Sequence, residues 1–574
     1  MPTAPTEIDR LLTQLEAAKN NFEPGHAAAI GKLLSETSAI EFTEARQLIR
    51  FHECLLFLRA FPHAPSHVAR VERLLNSFYK RVEKIRSSHS DMSQFDDFDT
   101  SGIAGTTMQD ALSFDVAQWL AQRIPRNVDI ALEDYWDDYE SERARGNTWP
   151  RFIPLLEEDA DVEANIPWQR WLDAATGRKR ALPWLLQRFA KLPLTPRQRS
   201  ELYDSLRIPI RWQLENLKLS RTRNWSRPRH FYFHDQPLIQ RNQVSLETEL
   251  AKPVPKLGKL SLSAGESVMQ SIREIMVVRY RELYGTTLGD PHSVVRANLG
   301  GGVVMHFWGL PASRRLPLRA YLAGYTLKNG VPINYIEAIG LCEWIEVGFN
   351  TFYTYRQGET AWIYAQALRC LRALTAATTI SIYPYQIGQN NDEAIDSGAF
   401  WFYRKLGFRP GRSDLQQLCE KEEQKIAANA KYRTSPRTLR RLAEAHMFFE
   451  MKPAAGSGAW DNFSTRNLGL RINRRMAKLF DGDINKLQEK SLDYVKAALG
   501  LDGSDLNVAQ PHSLESWSLF LALITDLPHW TLDEKQQLIK IIGAKSGRSE
   551  IHYLRETQHH ERLRTELLRL GSAI

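Results

Sequence analysis

The chain has few cysteines, no long apolar run and none of the common short catalytic motifs. Its 574 residues include four cysteines, Cys54, Cys342, Cys370 and Cys419. They are far apart and form no CxxC pair. Neither a disulfide framework nor a zinc site is expected, and a reducing, cytoplasmic compartment is the simplest reading. No window reaches about 18 consecutive apolar residues, so no membrane span is expected. The opening MPTAPTEIDR is polar and carries Asp9 before any apolar run, which does not read as a secretory signal. HExxH, GxSxG, GxGxxG and the Walker pattern are missing. No repeat of fixed period and no long low-complexity tract occurs.

The remainder is ordinary globular composition, 43% hydrophobic and 25% charged. At about 100–200 residues per domain, the length allows roughly three domains. A formal net charge of +8 mildly favours anionic ligands, with coenzyme A, a carrier protein, RNA and acidic lipid all compatible. Residues 1–255 read as an α-helical region of one or two subdomains, 256–412 as a mixed α/β domain, and 413–574 as a second helical region. Leu11, Leu12, Leu15 and Ala18 recur at helical spacing near the start, and Ser113 caps another helix. In the C-terminal region, Ser435-Pro436 opens a helix.

The basic balance is strongest over Ser220–His234. There Arg221, Arg223, Arg227 and Arg229 alternate with Trp225, His230, Phe231 and Tyr232. Arginines among aromatics can hold phosphates while rings stack on bases. Packing of the aromatics onto the next domain explains the pattern equally, and so does an entrance for an anionic substrate. Acidic clusters at Asp134–Glu142 and Glu157–Glu163, and a basic patch at Arg466, Arg471, Arg474 and Arg475, read as surface charge. His552, Glu556 and His559 share a helical face but also read as solvated, so no metal site is assigned.

The chain is organised around 344–410. Arg319–Leu327 and Val331–Gly340 read as a hairpin across Asn329-Gly330, a favoured two-residue turn. Trp344–Tyr355 alternates, with Ile345, Val347 and Phe349 on one face and Glu346, Gly348 and Asn350 on the other. A loop, 356–360, then opens a helix with Ala361, Tyr364, Ala365, Leu368 and Leu371 on one face. A strand, turn and helix N-terminus leave unpaired N–H groups suited to phosphate or another anion. Thr379–Tyr385 is the next strand. Ala264–Tyr284 reads as one amphipathic helix, and Gly300-Gly301-Gly302 as a turn or a close backbone approach.

This stretch resembles the GNAT superfamily of acyl-CoA-dependent N-acyltransferases, over about residues 260–412. Asp396-Ser-Gly-Ala399-Phe-Trp-Phe-Tyr403-Arg-Lys405-Leu-Gly407-Phe408 follows the family's Asn-x-x-Ala-x-x-x-Tyr-x-Lys-x-Gly-Phe, with Asp replacing Asn. The family's pyrophosphate loop, Arg/Gln-x-x-Gly-x-Gly/Ala, is matched less closely. Tyr355-x-x-Gly358-x-Thr360 keeps its spacing, and Arg356-x-Gly358-x-x-Ala361 keeps its residue types.

The resemblance implies a largely antiparallel mixed sheet with helices, and transfer of an acyl group from coenzyme A, or a phosphopantetheine carrier, to an amine. It places the co-substrate against Asn350, Thr351, Arg356, Gln357, Gly358, Glu359, Thr360, Ala361 and Asp396. An acid in a helix's first turn stabilises by about 0.3–1 kcal/mol, so Glu359 is expected to cap the helix and point away from the ligand. Acyl transfer needs a neutral amine, a polarised carbonyl and a protonated leaving thiolate. Tyr403 occupies the family's acid position. Glu346, then Glu337 on the neighbouring strand, are the candidate bases. Two other expectations stand beside this one: a non-catalytic scaffold with a degenerate GNAT domain, and RNA binding through 220–234.

Overall fold

The computed structural model describes residues 6–23, 25–88, 91–131, 152, 173–177, 180–451, 458–501 and 511–572. Both acidic clusters, 134–142 and 157–163, lie outside the described residues. The fold is mixed α/β, with a large sheet and many helices.

The large sheet is built from β4 (Leu257–Lys259), β5 (Val295–Gly300), β6 (Val303–Trp308), β7 (Ala320–Lys328), β8 (Val331–Leu341), β9 (Trp344–Thr351), β10 (Thr379–Ile382), β11 (Arg409–Pro410) and β12 (Met447–Glu450). Their order is β11-β12-β10-β9-β8-β7-β6-β5-β4. From β4 to β9 each pairing is antiparallel between chain neighbours. The β7–β8 hairpin turns on Asn329 and Gly330, both left-handed at φ 48° and 78°. Asn and Gly tolerate that region, which matches the twist of the two strands. Gly300, Gly301 and Gly302 make the β5–β6 turn, all at positive φ.

The β9–β10 pair is parallel, and the helix Thr360–Thr375 makes the crossover between them. That helix buries Ala361, Tyr364, Ala365, Leu368 and Leu371 and stops at Ala376, which is left-handed at φ 60°.

Three features depart from the sequence reading. The first region is not wholly helical: β1 (Thr107–Ala111), β2 (Val128–Ile130) and β3 (Pro209–Gln213) form a small antiparallel sheet. These strands are three to five residues long, too short for alternation to stand out from noise. The second helical region contributes β12 to the large sheet, between β10 and β11. The helix expected over 264–284 runs Leu262–Val277, after which Tyr280 turns left-handed at φ 51°.

One apolar core runs from Ile8 to Leu570 and includes the large sheet. A second is formed by residues between Met108 and Leu219 with Val277 and Val278. All four cysteines are free and buried. No described helix is long and apolar enough to cross a membrane.

Candidate functional site

Pairing between β9 and β10 covers only Trp344↔Thr379, Ile345↔Ile380 and Glu346↔Ser381. Beyond Glu346, β9 continues to Thr351 with a partner on one side only, β8. β10 itself ends at Ile382, so the two strands part at a fork beyond Glu346, which leaves the β9 edge over 347–351 without a strand beside it.

One sheet face at the fork carries Glu346, Gly348 and Asn350. Strand register brings Glu337 opposite Gly348 and Tyr335 opposite Asn350 on the same face. Both candidate bases lie there, in different environments. Tyr321 donates its hydroxyl to Glu337. Burial pushes the Glu337 carboxyl up, and that hydrogen bond only partly offsets it. Glu346 is buried too, which acts to raise its carboxyl. His446 at 2.8 Å and Arg319 at 3.4 Å outweigh burial and hold it below its ordinary value. His446 stands just before β12, 100 residues from Glu346 in sequence. Sequence reasoning missed it because MFFE is too short to reveal the strand that carries it.

The segment after β10 covers this face. A Cβ on Gly348 would meet Gln386 Nε2 at 3.1 Å. Tyr383 packs edge-on against His446, 5.4 Å between ring centroids, and accepts from Arg466 at 2.9 Å. Thus one member of the presumed surface patch at 466–475 reaches the fork.

Tyr403 lies on the other face. Phe349, which alternates with Gly348 and Asn350, packs on Tyr364, and Tyr364 packs on Tyr403 at 5.7 Å. Tyr403 is buried, and burial pushes its phenol up.

Six buried polar atoms without a side-chain partner lie on or beside this end of the sheet. Asn350 Oδ1 and Gln386 Oε1 are on the Glu346 face; Thr351 Oγ1 and Tyr364 OH are on the other; Asn334 Nδ2 and Thr326 Oγ1 continue the row across β8 and β7. An unmade buried hydrogen bond costs about 1–3 kcal/mol. Water or a polar ligand can complete such groups.

The loop 356–360 enters the helix Thr360–Thr375 with its first N–H groups unclaimed by the helix, as at any helix start. Several of its side chains are engaged. Arg356 pairs with Glu393 and lies 4.0 Å from Asp99. Thr360 donates to Arg356 O at 3.3 Å. Ala361 is buried and Gln357 exposed. A Cβ on Gly358 would meet Phe61 at 2.6 Å. Glu359 occupies the helix N-cap position but makes no capping bond. Its carboxylate takes the Lys328 ammonium at 2.9 Å, with His234 at 3.8 Å. The expected cap is replaced by a buried ion pair, which turns the charge inward. Asp396 is exposed at the end of the short helix Asp392–Asp396.

The basic-aromatic stretch is a strap on the same hairpin. Trp225 Nε1 donates to Asn329 O at 3.0 Å, and Asn329 Oδ1 accepts from Tyr232 N at 2.8 Å. Arg221 is buried against Glu53 and donates to Thr100 O at 2.7 Å. Glu53 also accepts from Thr354, next to the loop. Arg227 and Arg229 remain exposed.

A cleft of about 1070 Å³ opens elsewhere, between Ser113, Asp204, Glu282, Tyr284, Arg314 and Lys545. Its wall adjoins the fork through Tyr284, which packs edge-on against Tyr321 at 5.9 Å. Among the described residues, no group of three or more His, Cys, Asp or Glu is placed to hold a metal. His552 pairs with Glu556 at 3.6 Å on an exposed helix face.

Compared with known proteins, the chain matches no protein-family model, no curated protein and no solved structure.

Proposed function

We propose that this protein is an N-acyltransferase of GNAT-like architecture, moving an acyl group from coenzyme A or a phosphopantetheine carrier to an amine. The observation that carries the reading is the fork. An antiparallel run ends in one parallel pair whose pairing stops at Glu346, and the crossover helix Thr360–Thr375 joins the two strands of that pair. A thioester lying in the fork has an extended strand on one side and unsatisfied polar groups around it. Its phosphates would lie toward the helix start, where N–H groups and the dipole favour anions.

In this reading Tyr403 protonates the leaving thiolate from one face. A carboxylate on the other face, Glu346 or Glu337, serves the amine. Burial keeps Tyr403 protonated at rest but also makes its phenol a weaker acid, so its proton transfer is expected to accompany carbon–sulfur cleavage rather than precede it.

A second reading has its own support. Arg356 is occupied by Glu393, and Gly358 is packed against Phe61. A loop held this closely suits a scaffold that no longer takes a nucleotide.

Calorimetric titration with coenzyme A and acetyl-CoA separates the two. Binding by the wild type, weakened in Gln357→Glu, supports the acyltransferase. A carboxylate about 4 Å from a phosphate costs roughly 1 kcal/mol in water and more when shielded, so a loss of about fivefold or greater is expected. No binding of either compound favours the scaffold.

A further inference from the structure

We propose that His446 accepts the proton of the incoming amine and that Glu346 acts by positioning it. This rests on the acyltransferase reading and changes its chemistry: Glu346 ceases to be the base.

Glu346 accepts from His446 and Arg319 at once. A carboxylate satisfied by two donors is a poor proton acceptor but a good anchor. Because it is an acceptor only, the bond to His446 Nε2 requires a proton on that nitrogen. The neutral imidazole then has its lone pair on Nδ1. Nδ1 has no partner among the described residues, and the side chain is 26% exposed. The arrangement is a carboxylate fixing the tautomer of a histidine whose other nitrogen is left available. That is the logic of a base oriented by a third group.

The position also fits. Glu346 is the last residue paired across the fork. The groups facing His446 are Glu346 from β9, Arg319 on the same carboxylate, and Tyr383 after β10, whose hydroxyl takes Arg466. Phe448 of the following strand, β12, lies at 6.1 Å.

The amine nitrogen attacks the thioester carbonyl carbon while its proton passes to His446 Nδ1. The carbon–nitrogen bond forms, and the carbonyl π pair moves to oxygen. The oxyanion pair then returns to re-form the carbonyl as the carbon–sulfur bond breaks, and the thiolate leaves with the carbon–sulfur pair and takes the Tyr403 proton. His446 returns its proton to water, and Tyr403 is reprotonated from water.

The test uses the full chain, acetyl-CoA, and butylamine, glycine methyl ester or spermidine as acceptors, followed by thiol release. His446→Gln is the informative variant. Its amide donates to Glu346 as the imidazole does but offers no base. General-base loss of about 10²-fold in kcat is expected, with KM for acetyl-CoA changed less than about twofold. His446→Ala should be equally slow, and added imidazole should recover part of its rate. Nitrogen-15 shifts of the wild type should report Nε2–H for neutral His446. A His446→Gln rate within threefold of wild type would overturn the proposal, since the residue would then only support Glu346. A neutral Nδ1–H tautomer would overturn it as well. Wild-type turnover with an unaffected variant removes His446 alone. A wild type inactive on every acceptor removes the acyltransferase reading and His446's role together.

Discussion

Lys328 and Glu359 meet at 2.9 Å with side-chain exposures of 0% and 6%, joining the end of β7 to the start of the crossover helix. Burial pulls the Lys328 ammonium below its ordinary value, and Glu359 opposes that pull. The ammonium also faces the rings of Phe61 and Tyr232 at 4.9 and 5.3 Å. Three parts of the chain therefore share one buried charge pair, and Glu359 has no spare charge to turn on an anionic ligand.

Breaking that pair from one side should be costly. Lys328→Met leaves Glu359 buried without its cation, which typically costs about 3–5 kcal/mol. Lys328→Met with Glu359→Leu removes both charges and should regain most of the loss. Urea unfolding of the two variants checks this. Equal destabilisation of single and double variants would mean that packing, not charge, is what the pair supplies.

Asn329 ties the strap to the hairpin. Its amide reaches Ala60 O and Tyr232 O at 2.9 Å each, while its oxygen accepts from Tyr232 N. Asn329→Ala should cost at least about 2 kcal/mol, since buried partners lose their bonds. It should also open 225–232 to limited proteolysis. Gly330→Ala should act the same way, because a Cβ there would meet Ser226 O at 1.8 Å. Arg227→Glu with Arg229→Glu, both at exposed positions, should leave stability within about 0.5 kcal/mol. If that double variant abolished a salt-sensitive RNA affinity of the wild type, RNA recognition would replace the packing account of the strap.

The parts of this fold that sequence made legible are those encoded locally. Asn329-Gly330 announces its hairpin because left-handed backbone restricts which residues fit. β9 shows its alternation because one face is apolar. What escaped is set by distance or brevity. Glu53 and Arg221 are 168 residues apart, and no local pattern links a buried acid in one helix to an arginine in a basic stretch. His446 reaches Glu346 only because a four-residue strand enters the sheet between β10 and β11. Glu359 looked like a cap because helix starts favour acids, and a buried lysine on β7 claimed it instead.

The acid role proposed for Tyr403 can be tested apart from binding. Tyr403→Phe keeps the ring that packs on Tyr364 and Phe408 and removes only the hydroxyl. Turnover should fall by about 10²-fold, with acyl-CoA affinity nearly intact by calorimetry. An unchanged rate would take Tyr403 out of the mechanism and direct attention to the unpartnered Tyr364 hydroxyl beside it.

His306 should give the protein a stability slope at mildly acidic pH. The imidazole is buried, stacked on Tyr325 at 5.2 Å, and its Nδ1 has no partner. Burial, with the Arg296 charge adding to it, pulls its pKa to about 4 from the ordinary 6.5. The folded state therefore binds this proton less readily than the unfolded chain. The stability that neutral His306 contributes is complete above about pH 6.5 and is lost as pH falls from there to about 4. A shift of that size corresponds to roughly 3 kcal/mol at most. His306→Phe preserves the stacked ring and removes the titration. Urea unfolding at pH 7 and pH 5 should show a smaller loss in His306→Phe than in the wild type. Equal losses in the two proteins would mean that His306 is protonated in the fold as easily as in the open chain.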